Sequence, residues 1–449
     1  MGANGIETMV FYPVPVHRLK LCRETMNSSP TTQAPHRPRL LVKVGVLLSG
    51  GVLAQIIGLL MTPFIVRIYS PEHFGLLGVY LAILGVVAPV CMFRYEMAIP
   101  GTRQDRTAAT LFLLAVTLAL GFSGAAAVLL VACHQAGLFR PILGTLLWWM
   151  IPLGIFLTGL YGVASTCAIR KAAFKDLART KVNQSLWMML GQWVLGKAGW
   201  RPGGLLLGQI LGQSGGSGYL LWTLWREDRS LIRSIRPRDL LATARAHTRF
   251  PKFSLPAVLI ESLAANLPTL AMAYFYSATV AGWVTMLQRT IWIPLTSLAV
   301  NLGQVNFADF SEVHRNDPRD GLAMFLKRVK YLVLGGLAFA AGIALVVPWG
   351  IHRFLSREWA SSIACMYILL PMAVANFIVS PFGSVLDAYH RQDLHLQREI
   401  IRGAMLLAAL VIGVAARQPW YRTLALMSAA SLLGSTVYLW QSWKAVKEC

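Results

Sequence analysis

Long apolar runs separated by short polar stretches dominate this 449-residue chain. A spanning helix needs about 20 mostly apolar residues, because the lipid core offers no partner to an exposed backbone N–H or C=O. The pattern therefore predicts an all-α polytopic membrane protein with about twelve transmembrane helices. The predicted spans lie near residues 44–66, 75–99, 107–132, 141–167, 184–196, 203–225, 253–275, 281–305, 331–350, 361–386, 403–416 and 423–442. The short break between the fifth and sixth spans also allows a merged or re-entrant pair.

Composition supports the bilayer as the solvent of this chain. Hydrophobic residues make up 56% of it, charged residues only 13%, and the mean hydropathy is +0.56. The net charge of +22 would suit nucleic acid. However, most Lys and Arg residues fall on the N-terminal segment and on the even-numbered loops, as the positive-inside rule expects when both termini are cytoplasmic. Topology therefore explains the basic charge, and no nucleic-acid partner is expected.

The charged segments also predict how the chain is divided. Residues 1–43 are basic, rich in Pro, Ser and Thr, and lack a signal-peptide pattern, so they predict a disordered cytoplasmic tail. Met26 is an alternative start of the chain. The longest basic loop divides the spans into two sets of six. The predicted organisation is a tail (1–43), an N-terminal six-helix half (44–225), a basic cytoplasmic linker (226–252), a C-terminal six-helix half (253–443) and a C-terminal tail (444–449).

The two predicted halves share a short internal repeat. It occurs where the first span of each half gives way to the second, and its members keep one constant offset. They are Tyr69, Ser70 and Gly75 in the first half and Tyr276, Ser277 and Gly282 in the second. Parallel repeats build transporters whose halves rock around a central site. The repeat therefore predicts two related halves around a central cavity.

Five ionisable residues within the predicted spans are candidate functional residues. A charge near the bilayer centre costs on the order of 3 kcal/mol on insertion scales, so such residues usually face a cavity or a partner. Arg94, Glu96 and Arg289 are candidates for substrate binding, because a guanidinium matches the geometry of phosphate oxygens. Glu261 and Asp387 are candidates for ion coupling. Two alternatives stay open: Arg94 pairs with Glu96, and Glu261 pairs with an arginine of another helix.

Uncharged polar residues within the spans have two interpretations. They bind sugar hydroxyls, or they form hydrogen bonds between helices, which is the commoner use. These residues are Gln55, Gln209, Gln213, Asn266, Asn301 and Gln304. Arg67, at the end of the first span, is expected to anchor at the lipid headgroups. The six cysteines have no metal or disulfide spacing, and no nucleotide-binding or hydrolase motif occurs. No cofactor, metal or enzymatic activity is therefore expected.

Two motifs in the first two spans resemble a known family. They are TPFIVRIYSPEHFG (Thr62–Gly75) and FRYEMAIP (Phe93–Pro100). They resemble the polysaccharide biosynthesis flippases of the multidrug/oligosaccharidyl-lipid/polysaccharide exporter superfamily, and stretches at 293–305, 357–362 and 380–392 agree less specifically. The resemblance implies alternating-access transfer of an undecaprenyl-diphosphate-linked oligosaccharide from the cytoplasmic to the outer leaflet of the bacterial inner membrane. The glycan would be an O-antigen, capsule or exopolysaccharide repeat unit.

The resemblance also implies partners, and it leaves alternatives open. Membrane lipids, a glycan polymerase and chain-length machinery are the partners that it implies. The main alternative is a cation-coupled multidrug or small-solute antiporter of the same superfamily. A membrane-embedded glycan polymerase or ligase is a third interpretation, which the short predicted outer loops disfavour.

Overall fold

The computed structural model describes residues 37–136, 147–316, 320–388 and 392–447. Within these ranges all regular secondary structure is helical, which confirms the predicted all-α class. The described part of Val44–Cys449 forms one compact unit. Most of the predicted N-terminal tail, the start of the fourth predicted span and the last two residues of the C-terminal tail lie outside the described residues.

The first half begins with a helix that opens at Arg37, and its second and third helices are joined by a 3₁₀ segment, Tyr95–Gly101. Its helices are α1 (Arg37–Val66), α2 (Pro71–Val87), α3 (Asp105–Gln135), α4 (Leu147–Arg170), α5 (Phe174–Lys197), α6 (Gly203–Ser234) and the short α7 (Pro237–Ala246). The predicted fifth and sixth spans are thus two separate helices, α5 and α6, packed against each other.

The second half begins after a π-helical turn, Phe250–Ser254. Its helices are α8 (Leu255–Phe275), α9 (Ala278–Leu287), α10 (Ile293–Asn316), α11 (Asp320–Phe354), α12 (Ser362–Val379), α13 (Gly383–Ala388), α14 (Gln392–Ala415) and α15 (Trp420–Lys447). A second π-helical segment, Gln288–Trp292, joins α9 to α10 without a break in the helical backbone. The α9–α10 helix therefore forms the predicted eighth span.

Seven described segments are long and apolar enough to cross a membrane, judged by length and composition. They are Ser49–Val66, Asp105–Gln135, Trp149–Arg170, Phe250–Phe275, Gly321–Phe354, Arg357–Phe382 and Trp420–Lys447. Two shorter helices, Pro71–Val87 and Ile400–Ala415, are also apolar. The predicted spans that remain fall on α5, α6 and the α9–α10 helix, which carry many polar residues. The number of twelve stays a prediction.

Several helices extend beyond the predicted span boundaries, and two of them, α5 and α6, line the site described below. Helix α5 begins at Phe174, well before the predicted start at 184. The hydropathy pattern missed its first turns because they carry Lys175 and Asp176. Helix α6 continues to Ser234, into the stretch expected to be a linker. Hydropathy therefore missed the polar turns at one end of each helix.

The sequence repeat lies where the two halves meet. Ser70 and Ser277 are the N-caps of α2 and α9, and these two helices cross at Gly75 and Gly282. A methyl group added at Gly75 would lie 2.7 Å from the carbonyl carbon of Ala278, and one at Gly282 would lie 2.7 Å from that of Pro71. Glycine permits this close backbone approach in both directions. We refer to this contact as the α2–α9 crossing.

Side chains from both halves also meet beside the α2–α9 crossing. The Nε of Arg67 donates a hydrogen bond to the carbonyl oxygen of Phe354 at 2.8 Å, so Arg67 links α1 to the end of α11. Arg67 remains exposed beside this contact, and its anchoring at the lipid headgroups stays a prediction. Phe74 packs edge-on against the fully buried Trp359, with ring centroids 5.2 Å apart. The bundle is therefore closed at this end.

Candidate functional site

A central cavity lies between the two halves, next to the α2–α9 crossing. It has a volume of about 620 Å³ and is lined by residues of α1, α2, α4, α5, α6, α8 and the α9–α10 helix. Gly78 and Thr285 form its wall on the crossing side, where a methyl group added at Gly78 would lie 3.1 Å from the Thr285 Cβ. The cavity begins where the close contact of α2 and α9 ends.

The polar lining of this cavity includes six carboxamides, two cations and the hydroxyls of Tyr161, Ser185 and Thr285. The carboxamides are Gln55, Gln184, Gln209, Gln213, Asn266 and Gln288, and the cations are Lys181 and Arg289. The lining residues that the structure describes include no Asp or Glu. Because a carboxamide both donates and accepts hydrogen bonds, this set matches sugar hydroxyls, while the cations match phosphate oxygens.

Arg289 is the predicted candidate that the structure places in the cavity. It lies in the π-helical segment before Pro294, which has no N–H to continue the regular hydrogen-bond pattern. Its Nη2 donates to the side-chain oxygen of Gln192 at 2.9 Å and lies 3.6 Å from the sulfur of Met189. No ion pair described in this structure includes Arg289. Its positive charge therefore faces the cavity without a described acidic partner.

Lys181 is a cavity residue that the sequence interpretation missed. It was counted with the basic loop between the fourth and fifth predicted spans, whereas it lies two turns inside α5. Its side chain lines the central cavity and also a second cavity of about 390 Å³. The sequence could have revealed it, because residues from Phe174 onward contain no helix-breaking Gly or Pro before the apolar part of α5. A hydropathy criterion does not use that signal.

The second cavity adjoins the first and is lined by residues of α1, α5 and the α9–α10 helix. The two cavities share Gly51, Gln55, Lys181, Trp292 and Ile293. Thr296, Asn301 and Gln304 extend the second cavity along α10, away from the α2–α9 crossing. All six in-span amides singled out in the sequence thus line one of the two cavities.

Arg94 and Glu96 lie together, outside the residues that line these two cavities. Arg94 has a left-handed backbone (φ 63°) just before the 3₁₀ segment, and its Nη1 is 3.5 Å from the Oε1 of Glu96. Its Nε donates to the hydroxyl of Ser254, in the π-helical turn before α8, at 3.3 Å. Glu96 is only 3% exposed. The pair therefore joins the first half to the start of the second, through residues that are separate in sequence from Gly75 and Gly282.

The two candidates for ion coupling lie apart from Arg289. Glu261 is exposed on α8 and is not among the described residues lining the central cavity. Asp387 belongs to α13, and its side chain lies outside the described side chains. The structure therefore does not bring these two residues and the cavity cations into one described site.

The fold defines the class of protein: a multi-pass membrane transporter fold of two helical halves around a central cavity. An inward-facing multidrug resistance MATE transporter of the MOP superfamily has a similar fold, with a TM-score of 0.69 and 15% identity over 90% of this chain and 98% of that one. The lipid II flippase MurJ, in an inward closed conformation, gives 0.66 and 13% over 89% and 87%. At these identities the similarity concerns the fold alone.

The family follows from the sequence match. Residues 64–364, more than half of the chain, match the family described as polysaccharide biosynthesis protein, and the chain belongs to that family. It is 23% identical to the teichuronic acid biosynthesis protein TuaB of Bacillus subtilis over 224 residues, 48% of this chain and 44% of TuaB. It is 25% identical to the lipopolysaccharide biosynthesis protein WzxC of Escherichia coli over 175 residues, 38% of this chain and 35% of WzxC. The chain thus spans less than half the length of either relative, and the predicted family resemblance is confirmed.

Proposed function

We propose that this protein moves a lipid-linked oligosaccharide across the membrane by alternating access, with its phosphate groups bound in the central cavity. The observation that carries the proposal is the lining: two cations, Lys181 and Arg289, among six carboxamides, with no carboxylate among the described lining residues. A cationic, amide-rich cavity suits an anionic sugar-bearing headgroup. Family membership supports the same substrate class.

The chain's own residues supply binding and gating in this mechanism. The guanidinium of Arg289 and the ammonium of Lys181 hold diphosphate oxygens, and the amides hold sugar hydroxyls. The second cavity, along α1 and α10, extends the binding space. Transfer then requires the halves to separate at the α2–α9 crossing while they approach each other at the opposite end of the bundle.

The charge asymmetry supports an orientation of the chain, and the family supports the direction and surroundings of transfer. We propose that both termini are cytoplasmic, that the membrane is the bacterial inner membrane, and that the glycan leaves on the outer side as an undecaprenyl-diphosphate-linked repeat unit. A glycan polymerase and chain-length machinery would then receive it. Protease protection of terminal tags in inside-out vesicles tests the orientation, and tags protected inside the vesicle lumen would refute it.

A cation-coupled multidrug or small-solute antiporter is the alternative function. Its cationic cargo would favour carboxylates in the cavity, whereas the described lining presents cations. Ion coupling through Glu261 and Asp387 stays a prediction. Ion coupling would be rejected if transport persists in reconstituted vesicles without any Na⁺ or H⁺ gradient and also persists in Glu261→Gln and Asp387→Asn.

The experiment for the proposed function measures lipid-linked oligosaccharide in a deletion strain, with its membrane side scored by an impermeant sugar-labelling reagent. We expect intermediates to accumulate on the cytoplasmic side, and plasmid-borne wild type to restore outward display. Arg289→Gln combined with Lys181→Gln should fail to restore it although the protein inserts normally.

The matched control removes a cation outside the cavity. Arg353 is exposed near the end of α11, and Arg353→Gln should restore display as wild type does. Normal outward display in the deletion strain would contradict the flippase proposal. Normal display with the double cavity variant would contradict the role of the cavity cations.

A substrate contact by Arg94 and Glu96 also stays a prediction. Their position between the 3₁₀ segment and Ser254 suits a role in joining the halves as well as a role in binding. A loss of export in Arg94→Ala with unchanged binding of the lipid-linked substrate would assign the pair to the joint. A loss of binding would assign it to the substrate.

A further inference from the structure

The side chain of Gln192 is the described partner of the cavity arginine, and it comes from the other half of the protein. Gln192 lies on α5 and is fully buried, with 0% of its surface exposed. Its side-chain oxygen accepts the 2.9 Å hydrogen bond from Nη2 of Arg289. Its side-chain nitrogen donates to the carbonyl oxygen of Leu205 on α6 at 3.0 Å.

The chemistry of the three groups fixes the orientation of this amide. A guanidinium only donates hydrogen bonds, and a backbone carbonyl only accepts them. The Gln192 amide therefore satisfies both neighbours in one orientation, with its oxygen toward Arg289 and its nitrogen toward Leu205. In the reversed orientation the amide nitrogen would face the guanidinium, donor against donor, and the amide oxygen would face the Leu205 carbonyl, acceptor against acceptor.

The surroundings hold Gln192 in place from two further sides. The hydroxyl of Tyr69, at the end of α1, donates to the backbone carbonyl of Gln192 at 2.8 Å. On α6, a methyl group added at Gly208 would lie 2.6 Å from the backbone nitrogen of Gln192, so α6 passes close to α5 at this level. The amide is therefore a fixed acceptor that belongs to the first half, whereas Arg289 belongs to the second.

We propose that Gln192 is a positioning residue that ties Arg289 to the first half, and that a diphosphate oxygen entering the cavity displaces the Gln192 amide oxygen from Arg289. The inference rests on the proposed function and adds to it a step by which binding loosens one contact between the halves. Gln192 does not act on the substrate itself. It acts through the position and availability of the guanidinium.

The exchange is favourable because the two acceptors differ in charge. Gln192 offers Arg289 a neutral oxygen, whereas a diphosphate offers anionic oxygens that attract the guanidinium by charge and can accept two parallel hydrogen bonds from it. The displaced Gln192 oxygen loses its donor, and this loss offsets part of the gain, while its nitrogen keeps the bond to Leu205. A carboxylate at position 192 would compete with the diphosphate and neutralise the charge that attracts it, so the neutral amide is the suitable partner.

The test uses the full chain in lipid nanodiscs with one spin label on each half. Leu129 and Leu345 are exposed positions near the C-terminal ends of α3 and α11, 64% and 76% accessible, and they accept labels after conversion to cysteine in a background lacking the native cysteines. Without ligand, Gln192→Leu should shift the ratio of the two distance populations about tenfold toward the separated form, because a hydrogen bond to a charged group is lost.

The ligand arm measures the exchange itself. Inorganic diphosphate and, separately, nanodiscs containing a polyprenyl diphosphate should shift the wild-type distances toward those of Gln192→Leu. Gln192→Glu should hold the closed distances in both conditions, because it pairs ionically with Arg289. A response to the lipid alone assigns the anion to a lipid headgroup, and a response to both assigns it to the diphosphate group; either supports the exchange.

A second variant protects the test against misfolding of Gln192→Leu. Arg289→Met removes the other end of the tie and should produce the same ligand-free shift, and the double variant should add nothing further, because both changes break one interaction. Unchanged ligand-free distances in both single variants would overturn the tie. A ligand-free shift with no response to diphosphate would overturn the exchange and leave the tie. Normal glycan display in the deletion strain would count against the proposed function alone.

Discussion

Adding one methyl group at the α2–α9 crossing tests whether the two halves separate there during transport. The changes are Gly75→Ala and Gly282→Ala, at the repeated glycines of α2 and α9. Each added Cβ would lie 2.7 Å from a backbone carbonyl carbon of the opposite helix, Ala278 in the first case and Pro71 in the second. Because the obstructing atoms belong to the backbone, no side-chain rotation relieves the contact.

The size of the effect follows from the missing distance. Carbon atoms in contact lie about 3.5 to 4.0 Å apart, so the helices must separate by about 1 Å at this level. Overpacking of a tight interface typically costs about 1–3 kcal/mol. If α2 and α9 touch only while this end is closed, the cost falls on the closed form alone. The ratio of open to closed forms then rises about 5- to 150-fold.

Two measurements check this expectation. Spin-label distances between Leu129→Cys and Leu345→Cys should shift toward the longer population in each glycine variant, and surface-glycan display should fall because the closed form is disfavoured. The free-energy change in the double variant should be smaller than the sum of the changes in the two single variants, because one small helix separation relieves both contacts.

The chain offers matched controls for this prediction. Gly121 on α3 and Gly342 on α11 have no atom within 4 Å of an added Cβ. Alanine at either position should leave the distances unchanged and stabilise its helix by up to about 1 kcal/mol. Wild-type distances in both Gly75→Ala and Gly282→Ala would refute the idea that the α2–α9 crossing is a contact made and broken in transport.

Three further predictions concern charged residues. Lys181→Gln should weaken binding of a lipid-linked diphosphate by about tenfold and Lys181→Arg should retain it, as measured by titration in nanodiscs. Arg94→Gly should be more stable than Arg94→Ala by about 1 kcal/mol in thermal unfolding, because φ at this position is 63°. The backbone N–H of Arg236 and the ion pair with Arg106 hold the pKa of Asp239 below its ordinary value. This stabilisation of α7 is present at neutral pH and is lost as the pH falls through that lowered pKa. Protection of the α7 amides, measured as the exchange rate relative to the intrinsic rate at each pH, should fall below about pH 4, and Asp239→Asn should show the lower protection already at pH 7.

The hydropathy pattern predicted the helical class and the two halves because those properties depend on apolar length and on repeat position. The three matching residues of the repeat proved to be structural: the two serines cap α2 and α9, and the two glycines form the crossing. The tyrosines also act alike, since Tyr69 and Tyr276 each donate to a backbone carbonyl within their own half, at 2.8 and 3.1 Å. This short sequence repeat therefore identified the residues that form the α2–α9 crossing.

The candidate site was harder to predict, for a physical reason. A helix that faces a polar cavity carries fewer apolar residues than one surrounded by lipid, so hydropathy shortens it or reads its polar turns as a loop. Lys181 was missed in this way, and nothing in the sequence distinguishes Gln192 from the six in-span amides that were singled out. Arg94 and Glu96 stood out by charge, yet charge alone does not distinguish a cavity from a joint between elements.

The α2–α9 pair shows how a repeated structure places a single arginine in the cavity wall. Successive residues of α2 and of the α9–α10 helix keep the repeat's constant offset. The pairs are Gly75 with Gly282, Gly78 with Thr285, and Ala82 with Arg289. The first two pairs are small and form close contacts, whereas the third lies in the cavity wall, where Ala82 is 2% exposed. Two guanidinium groups at equivalent positions near the interface would repel each other, so an alanine in one half leaves space for the single arginine of the other. The symmetry is thus retained where the halves pack and lost where the substrate is expected to bind.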